Sequence, residues 1–120
     1  MLFLCHPTCT TCAKARKWLG EQGIAFTERS IAVENPNEEE LRAWHMKSGL
    51  PLKRFFNTSG NSYRNGGFTQ KLPTASEAQQ YSWLAADGML VKRPILVADD
   101  FVLVGFKPAE WAAAFSAAKV

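Results

Sequence analysis

The chain has 120 residues, 47% of them apolar, and its 14 basic and 11 acidic residues give a formal net charge of +3. This length suits one compact domain, residues 1–120, and the apolar content excludes an intrinsically disordered chain. Because the basic residues are spread along the chain and form no long run, we expect no direct contact with nucleic acid.

The N-terminal residues lack the basic and apolar regions of a secretion signal, and no stretch is apolar enough to span a membrane. We therefore expect a cytoplasmic protein with no membrane contact. Its three cysteines are an odd count crowded into residues 5–12, which is a poor framework for structural disulfides. Chemistry or metal binding is the better interpretation of these cysteines.

The first elements in chain order predict a strand, a helix and a second strand. Residues 2–5 (LFLC) have the apolar character of a short buried strand, and a helical pattern runs from Thr10 to residues 20–23. Residues 24–31 (IAFTERSI) predict the second strand. These elements make a βαβ unit, so we expect parallel strands with a right-handed crossover.

Residues 35–88 are expected to form a helical insertion. Asn37 and Glu40 have the spacing of a capping box that opens a helix, which Gly49 closes. Residues 51–72 are rich in Gly, Asn and Ser and predict short irregular helical turns.

The insertion ends with a further helix, after which the pattern changes to strands. Thr74 with Glu77 resembles another capping box, which predicts a helix over residues 74–87. Apolar runs at 94–97 and 101–106 flank a short polar segment, as in a β-hairpin.

A last helix is expected from Pro108, since proline is favoured at the first helical position. The element order is then βαβ, a helical insertion and ββα. We therefore predict an α/β protein of thioredoxin-like fold, with a mixed four-stranded sheet and helices inserted between its two halves.

The sequence Cys9-Thr-Thr-Cys12 stands where the first strand gives way to the first helix. A thiol at a helix N-terminus is near unpaired N–H groups and the positive end of the dipole, which favour the thiolate. We predict that Cys9 is the nucleophile and that Cys12 resolves its adduct as an intramolecular disulfide. Arg16, one turn beyond Cys12, is predicted to stabilise the thiolate.

Other interpretations of the cysteines remain open. Cys9 and Cys12 can pack as inert, small apolar residues. Together with Cys5 they have the spacing of an iron–sulfur site, although radical enzymes hold such clusters in much larger domains. Cys5, His6, Cys9 and Cys12 also include suitable zinc ligands, but a second Cys or His pair from another segment is missing. We expect no bound metal.

Thioredoxin-like folds place a proline, usually cis, opposite the cysteine pair at the start of the third strand. Pro94 occupies that place in the element order, so we predict a cis peptide between Arg93 and Pro94. Arg93 would then face the thiols, where it stabilises the thiolate or holds an oxyanion or a glutathione carboxylate. The alternative for Arg93 is a solvated charge at a strand start.

Three stretches, HPTCTTCAKARKWL, FFNTSGNSYR and GMLVKRPILV with VLVGF, together resemble the ArsC-related family, in the branch that includes Spx and MgsR-type proteins. The resemblance implies a cytoplasmic thioredoxin-like protein. In arsenate reductases of this family a cysteine forms an arsenate adduct that glutathione attacks, and three arginines hold the oxyanion. These positions fall on Cys9, Arg93, Asn57 and Phe106, so two arginines are missing. Each lost charge-assisted bond is worth roughly 1.5–3 kcal/mol, which predicts weak arsenate capture.

The sequence thus predicts an arsenate reductase-like or glutaredoxin-like thiol–disulfide oxidoreductase with no bound cofactor and with glutathione as a co-substrate. The alternative is an Spx-like redox-sensing regulator that binds RNA polymerase, for which Gly49, Leu50 and Pro51 resemble the docking segment. A Gly that only ends a helix explains Gly49 equally well. A third possibility is a fold relic with inert cysteines.

Overall fold

A four-stranded mixed sheet with strand order β2-β1-β3-β4 forms the centre of the structure, a computed structural model that describes residues 1–118. β1 (Leu2–Cys5) pairs in parallel with β2 (Thr27–Ser30). On its other side β1 is antiparallel to β3 (Ile95–Val97), which pairs with β4 (Val102–Val104) in a hairpin. This arrangement agrees with the mixed sheet expected from the sequence.

β2, β3 and β4 are shorter than the segments predicted for them, and each has a local reason. The N–H of Ile24 bonds the carbonyl of Leu19 at the end of the preceding helix, so pairing starts at Thr27. Pro94 has no N–H to donate to a ladder. Gly105 ends β4, since its φ of 72° is left-handed.

The first helix, α1 (Thr10–Glu21), packs with the last helix, α6 (Pro108–Ala118), against one face of the sheet. Side chains of a strand alternate between its faces, so Phe3 faces these helices while Leu4 faces the insertion. The cluster on the α1 and α6 side includes Leu19, Leu96 and Trp111 as well as Cys12. Cys12 and the other buried residues of α1 therefore pack in the same apolar layer.

The insertion opens with α2 (Glu38–Ser48), whose capping box is formed by Asn37 and Glu40 as expected. Gly49 ends it in the left-handed conformation, with φ 67°. The irregular region then forms a 3₁₀ turn and the short helices α3 and α4; their bounds are Leu52–Phe55, Asn61–Asn65 and Phe68–Lys71.

The next helix, α5 (Glu77–Ala86), starts later than predicted, and Thr74 does not cap it. Thr74 ends a 3₁₀ turn, Leu72–Thr74, and its hydroxyl donates to the Lys71 carbonyl. The chain is extended at Ala75 and Ser76, and Ser76 caps α5 by forming the capping box with Gln79. A third 3₁₀ turn, Gly88–Leu90, leads to β3.

Helices α2 and α5 pack together over the other face of the sheet. They share the larger apolar cluster with the aromatic residues of the middle segment, whose members include Phe55, Phe56, Tyr63 and Phe68. Within residues 1–118, no helix has both the length and the apolar character needed to cross a membrane.

Candidate functional site

Cys9 is the N-cap residue of α1, the position in which a side chain accepts hydrogen bonds from the first turn of a helix. Its Sγ accepts from the backbone N–H of Cys12 at 3.3 Å. The backbone N–H of Cys9 in turn donates to the His6 carbonyl at 3.1 Å, which fixes the turn between β1 and α1. Cys9 is half-buried, whereas Cys12 is fully buried, and neither forms a disulfide. Of this pair, Cys9 is the thiol within reach of a substrate.

The two thiols have opposite pKa shifts. Burial acts to raise the pKa of Cys9, but hydrogen bonding with Cys12 and the nearby guanidinium of Arg93 outweigh it and lower that pKa below its ordinary value of 9.0. Burial raises the pKa of Cys12 to about 12; the adjacent Cys9 adds to this effect, while a hydrogen bond with the His6 backbone opposes it. The first turn of α1 has no acidic residue to oppose a thiolate. Negative charge is therefore favoured on Cys9 rather than Cys12.

Arg93 lies beside Cys9 and precedes Pro94, and the peptide bond between them is cis. The Pro94 carbonyl accepts from the N–H of Gly105 at 2.8 Å, which ties this step to the end of β4. Two guanidinium nitrogens of Arg93, Nε and Nη1, are buried and have no hydrogen-bond partner within the described chain. Unpaired buried donors are costly, so these two nitrogens mark a place where an acceptor would be stabilised.

A cavity of about 510 Å³ adjoins Arg93. Apart from Arg93 its lining is neutral and mostly polar: Asn57, Ser59, Gly60, Asn61, Ser62 and Met89. The polar run at the start of α3 supplies most of these groups; its Asn and Ser content predicted irregular turns but no cavity. The cavity therefore has several neutral hydrogen-bonding groups and a single cation.

Asn57 and Phe106 stand where the resemblance placed two further arginines. Asn57 lines the cavity with its neutral amide. The Phe106 ring lies 4.9 Å from the Trp111 ring and 6.3 Å from the Trp18 ring, between centroids. Position 106 therefore contributes to an aromatic cluster and supplies no donor to an anion.

Arg16 does not serve Cys9, which corrects the expectation from helical spacing. Its Nη2 lies 3.5 Å from the Sγ of Cys5, and its Nε donates to the carboxylate of Glu28. Glu28 is opposite Phe3 in the β1–β2 pairing, and the guanidinium lies 5.9 Å from the Phe3 ring centroid. Glu28 on the neighbouring strand draws Arg16 across the sheet face, a contact between strand and helix that spacing within the helix does not reveal.

Cys5 is a buried thiol at the end of β1. Burial raises the pKa of Cys5 and Glu28 adds to the effect, although Arg16 opposes both. His6 directs its Nδ1 to the backbone N–H of Thr8 at 3.2 Å. In residues 1–118, no three His, Cys, Asp or Glu side chains are grouped as metal ligands.

Comparison with known proteins gives one family and a consistent set of relatives. A model described as the ArsC family matches residues 4–114. The chain is 50% identical over 107 residues to the uncharacterized protein YusI of Bacillus subtilis, covering 89% of this chain and 91% of YusI. It is 28% identical over 110 residues to the regulatory protein MgsR of Bacillus subtilis, covering 92% and 86%. It is 30% identical over 104 residues to the global transcriptional regulator Spx of Enterococcus faecalis, covering 87% and 77%.

Solved structures give the same result. An ArsC family related protein from Bacteroides fragilis is 54% identical, with a TM-score of 0.91 over 93% of this chain and 94% of the other. A structure described as a possible arsenate reductase from Streptococcus mutans is 37% identical, with a TM-score of 0.86 over 95% and 97%. These similarities confirm the predicted fold class.

Proposed function

The chain belongs to the ArsC family, as the resemblance of its motifs predicted, and from this premise we propose that it is a thiol–disulfide oxidoreductase acting through Cys9 and Cys12. The observation that carries the proposal is the position of Cys9. Its sulfur caps α1, accepts from the Cys12 N–H and lies beside Arg93, while a second thiol is three residues away. A nucleophile and a resolving group are thus adjacent.

In the first step the Cys9 thiolate attacks the glutathione sulfur of a mixed disulfide. The substrate S–S bond breaks, a Cys9–glutathione disulfide forms, and the other thiol leaves as a thiolate that takes a proton from water. Arg93 and the N-terminus of α1 stabilise the attacking thiolate, which lowers the pKa of Cys9 and raises the fraction that is ionised at a given pH.

In the second step Cys12 attacks the Sγ of Cys9. The proton of the Cys12 thiol passes to the departing glutathione, and a Cys9–Cys12 disulfide remains, so two electrons have moved from the dithiol to the substrate. Once Cys9 is in a disulfide, it no longer carries the negative charge that helps to raise the pKa of Cys12. The pKa of Cys12 therefore falls, and Cys12 becomes a better nucleophile, only after Cys9 has formed the disulfide with glutathione. Two glutathione thiols restore the dithiol and leave as glutathione disulfide.

The test compares the native protein with Cys9→Ser and Cys12→Ser against a glutathione-mixed disulfide of cysteine. Cys9→Ser should lose turnover, because the attacking sulfur is gone. Cys12→Ser should accumulate a covalent adduct with one glutathionyl group, visible by intact mass spectrometry. Turnover by Cys9→Ser, or a Cys12→Ser variant that never forms the adduct, would contradict the assignment.

Arsenate is included as a second substrate in the same assay. The cavity beside Arg93 has one cation and otherwise neutral lining residues. A dianion needs more compensation than one guanidinium gives, so turnover of arsenate should be far below that of the mixed disulfide. Equal turnover of the two would make arsenate reduction the better description.

A second candidate is a redox-sensing regulator that binds RNA polymerase. The similarity to the regulatory protein MgsR and the transcriptional regulator Spx favours a regulatory role. The observation in its support is the end of α2, where Gly49 and Pro51 are exposed and Met46 is 76% exposed. Pull-down of purified RNA polymerase by the reduced and the oxidised protein tests it. Binding that differs between the two states, without disulfide turnover, would favour the regulator; binding by neither state would remove it.

A further inference from the structure

A basic cavity of about 330 Å³ lies between the first 3₁₀ turn of the insertion and the segment before β3. Three of its lining residues are cationic and none is acidic; the full lining is Pro51, Lys53, Arg54, Phe56, Thr58 and Lys92. It shares no lining residue with the cavity beside Arg93. A ligand in this cavity would therefore be held apart from the residues that line the cavity beside Arg93.

The cations of this cavity are poorly compensated. Nη2 of Arg54 lies 3.9 Å from Glu110, and the two side chains are 38% and 48% exposed, so solvent weakens the pair. In the part of the chain that the structure describes, neither Lys53 nor Lys92 has a carboxylate within 4.0 Å. Three like charges around one cavity repel each other, and an anion between them would remove that repulsion.

The backbone holds these side chains on a fixed frame. The N–H of Lys92 donates to the Phe55 carbonyl at 2.8 Å, and the N–H of Asn57 donates to the Leu90 carbonyl at 2.8 Å. These bonds join the segment that carries Lys53 and Arg54 to the one that carries Lys92. The aliphatic part of Lys92 also lies close to Gly105, where an added Cβ would be 3.3 Å from its Cε. The two segments are thus held together before any ligand arrives, so binding has to order only the side chains that carry the charges.

We propose that this cavity binds the phosphate group of a small molecule. Phosphate carries nearly two negative charges at neutral pH and has three acceptor oxygens, which suits three cations and the hydroxyl of Thr58. A lone carboxylate has one charge and fewer acceptors. The buried ring of Phe56 and the ring of Pro51 form apolar wall, which lowers the local dielectric and strengthens charge pairing.

Isothermal titration calorimetry of the reduced native protein with inorganic phosphate, pyrophosphate and phenyl phosphate tests the proposal. Binding should be saturable, weaken with added salt and shift the amide resonances of residues 52–58 and 92 in NMR spectra. Lys53→Gln and Lys92→Gln should each weaken binding by about tenfold, through loss of one charge-assisted contact. Lys17→Gln, which removes the same charge from the exposed face of α1, is the matched control and should bind as the native protein does.

Three results would overturn the proposal. One is the absence of saturable binding by all three phosphate compounds at low salt. Another is equal loss of affinity in Lys17→Gln and the two cavity variants, which would indicate only a general effect of net charge. The third comes from a glutathione titration: if glutathione shifts the resonances of residues 52–58 and the phosphate compounds do not, the cavity binds carboxylates. Thermal unfolding of each variant establishes that it is folded.

Discussion

Replacing Arg93 by Met tests the electrostatics on which the chemistry of Cys9 depends. Met has nearly the length of the arginine stem, so packing is largely kept while the charge and the donors are lost. Because Arg93 lowers the pKa of Cys9, the Arg93→Met variant should have a higher Cys9 pKa than the native protein.

The magnitude follows from the environment of the thiolate. An opposite charge beside an ionisable group stabilises its charged form by roughly 1.5–4 kcal/mol, and the lower end applies because Cys9 is half-buried and partly solvated. About 1.5 kcal/mol corresponds to about a tenfold change in an equilibrium constant. Below the pKa, the thiolate fraction of Cys9 in Arg93→Met should therefore be about one-tenth of that in the native protein.

Alkylation by iodoacetamide measures this fraction, since only the thiolate reacts. The pseudo-first-order rate is followed by mass spectrometry across a pH series, in a Cys5→Ser, Cys12→Ser background so that one thiol is counted. Removing Cys12 does not remove its backbone N–H, so the hydrogen bond to Cys9 remains. At each pH below the native midpoint, Arg93→Met should react about ten times more slowly.

Arg16→Met is the matched control, because it removes the same charge from a residue that contacts Cys5 and Glu28. Its alkylation profile should match that of the Cys5→Ser, Cys12→Ser protein in which both arginines are kept. Arg93→Lys, which keeps the charge but not the guanidinium, should lie between the native protein and Arg93→Met. Coincident profiles for Arg93→Met and the background, or a shift in Arg16→Met as large as in Arg93→Met, would refute the assignment of Arg93 as the stabilising cation.

Two further predictions concern stability, both measured by urea unfolding. Between pH 9 and about 11 the free energy of unfolding of the reduced native protein should fall, because Cys12 has a pKa near 9.0 when unfolded but about 12 when folded. The free energy of unfolding of Cys12→Ala should fall less over this interval. An equal fall in both proteins would contradict the assignment of the raised pKa to burial of Cys12. Asn37→Ala should lower the free energy of unfolding by about 1 kcal/mol, because it removes the acceptor for the Glu40 N–H at 2.8 Å. Thr74→Ala, which removes no cap, should cost less than about 0.5 kcal/mol, and a larger cost than Asn37→Ala would contradict the observed cap positions.

Most of the fold follows from local patterns in the sequence. The apolar run at residues 2–5, the capping box at Asn37 and the positions of Gly49 and Pro108 all carry their structural cause within a few residues. The predicted start of α5 was wrong because two capping patterns overlap there, Thr74 with Glu77 and Ser76 with Gln79. Pro73 lies in the 3₁₀ turn that takes up Thr74, and sequence spacing alone does not decide between the patterns.

The site was less predictable because its parts come from separate segments. The Cys9–Cys12 spacing identifies the thiols and their helix N-terminus, and the element order identifies Pro94. The partner of Arg16 depends on β2 lying beside β1, which brings Glu28 toward the helix. The cavity beside Arg93 depends on how the start of α3 folds back toward that residue, and no periodicity in the sequence predicts this contact.

The charge count at the site argues for a substrate with at most one negative charge near the reacting sulfur. Arg93 has two buried nitrogens with no partner in the described chain, and the cavity beside it offers amides and hydroxyls. One guanidinium can donate two hydrogen bonds to one carboxylate, whereas a second charge in the same place would meet only neutral groups. A peptide disulfide with a single carboxylate near its sulfur satisfies this arrangement. Asn57→Arg should therefore improve capture of arsenate relative to the mixed disulfide, and a variant with an unchanged ratio of the two activities would show that charge at this position does not set the preference.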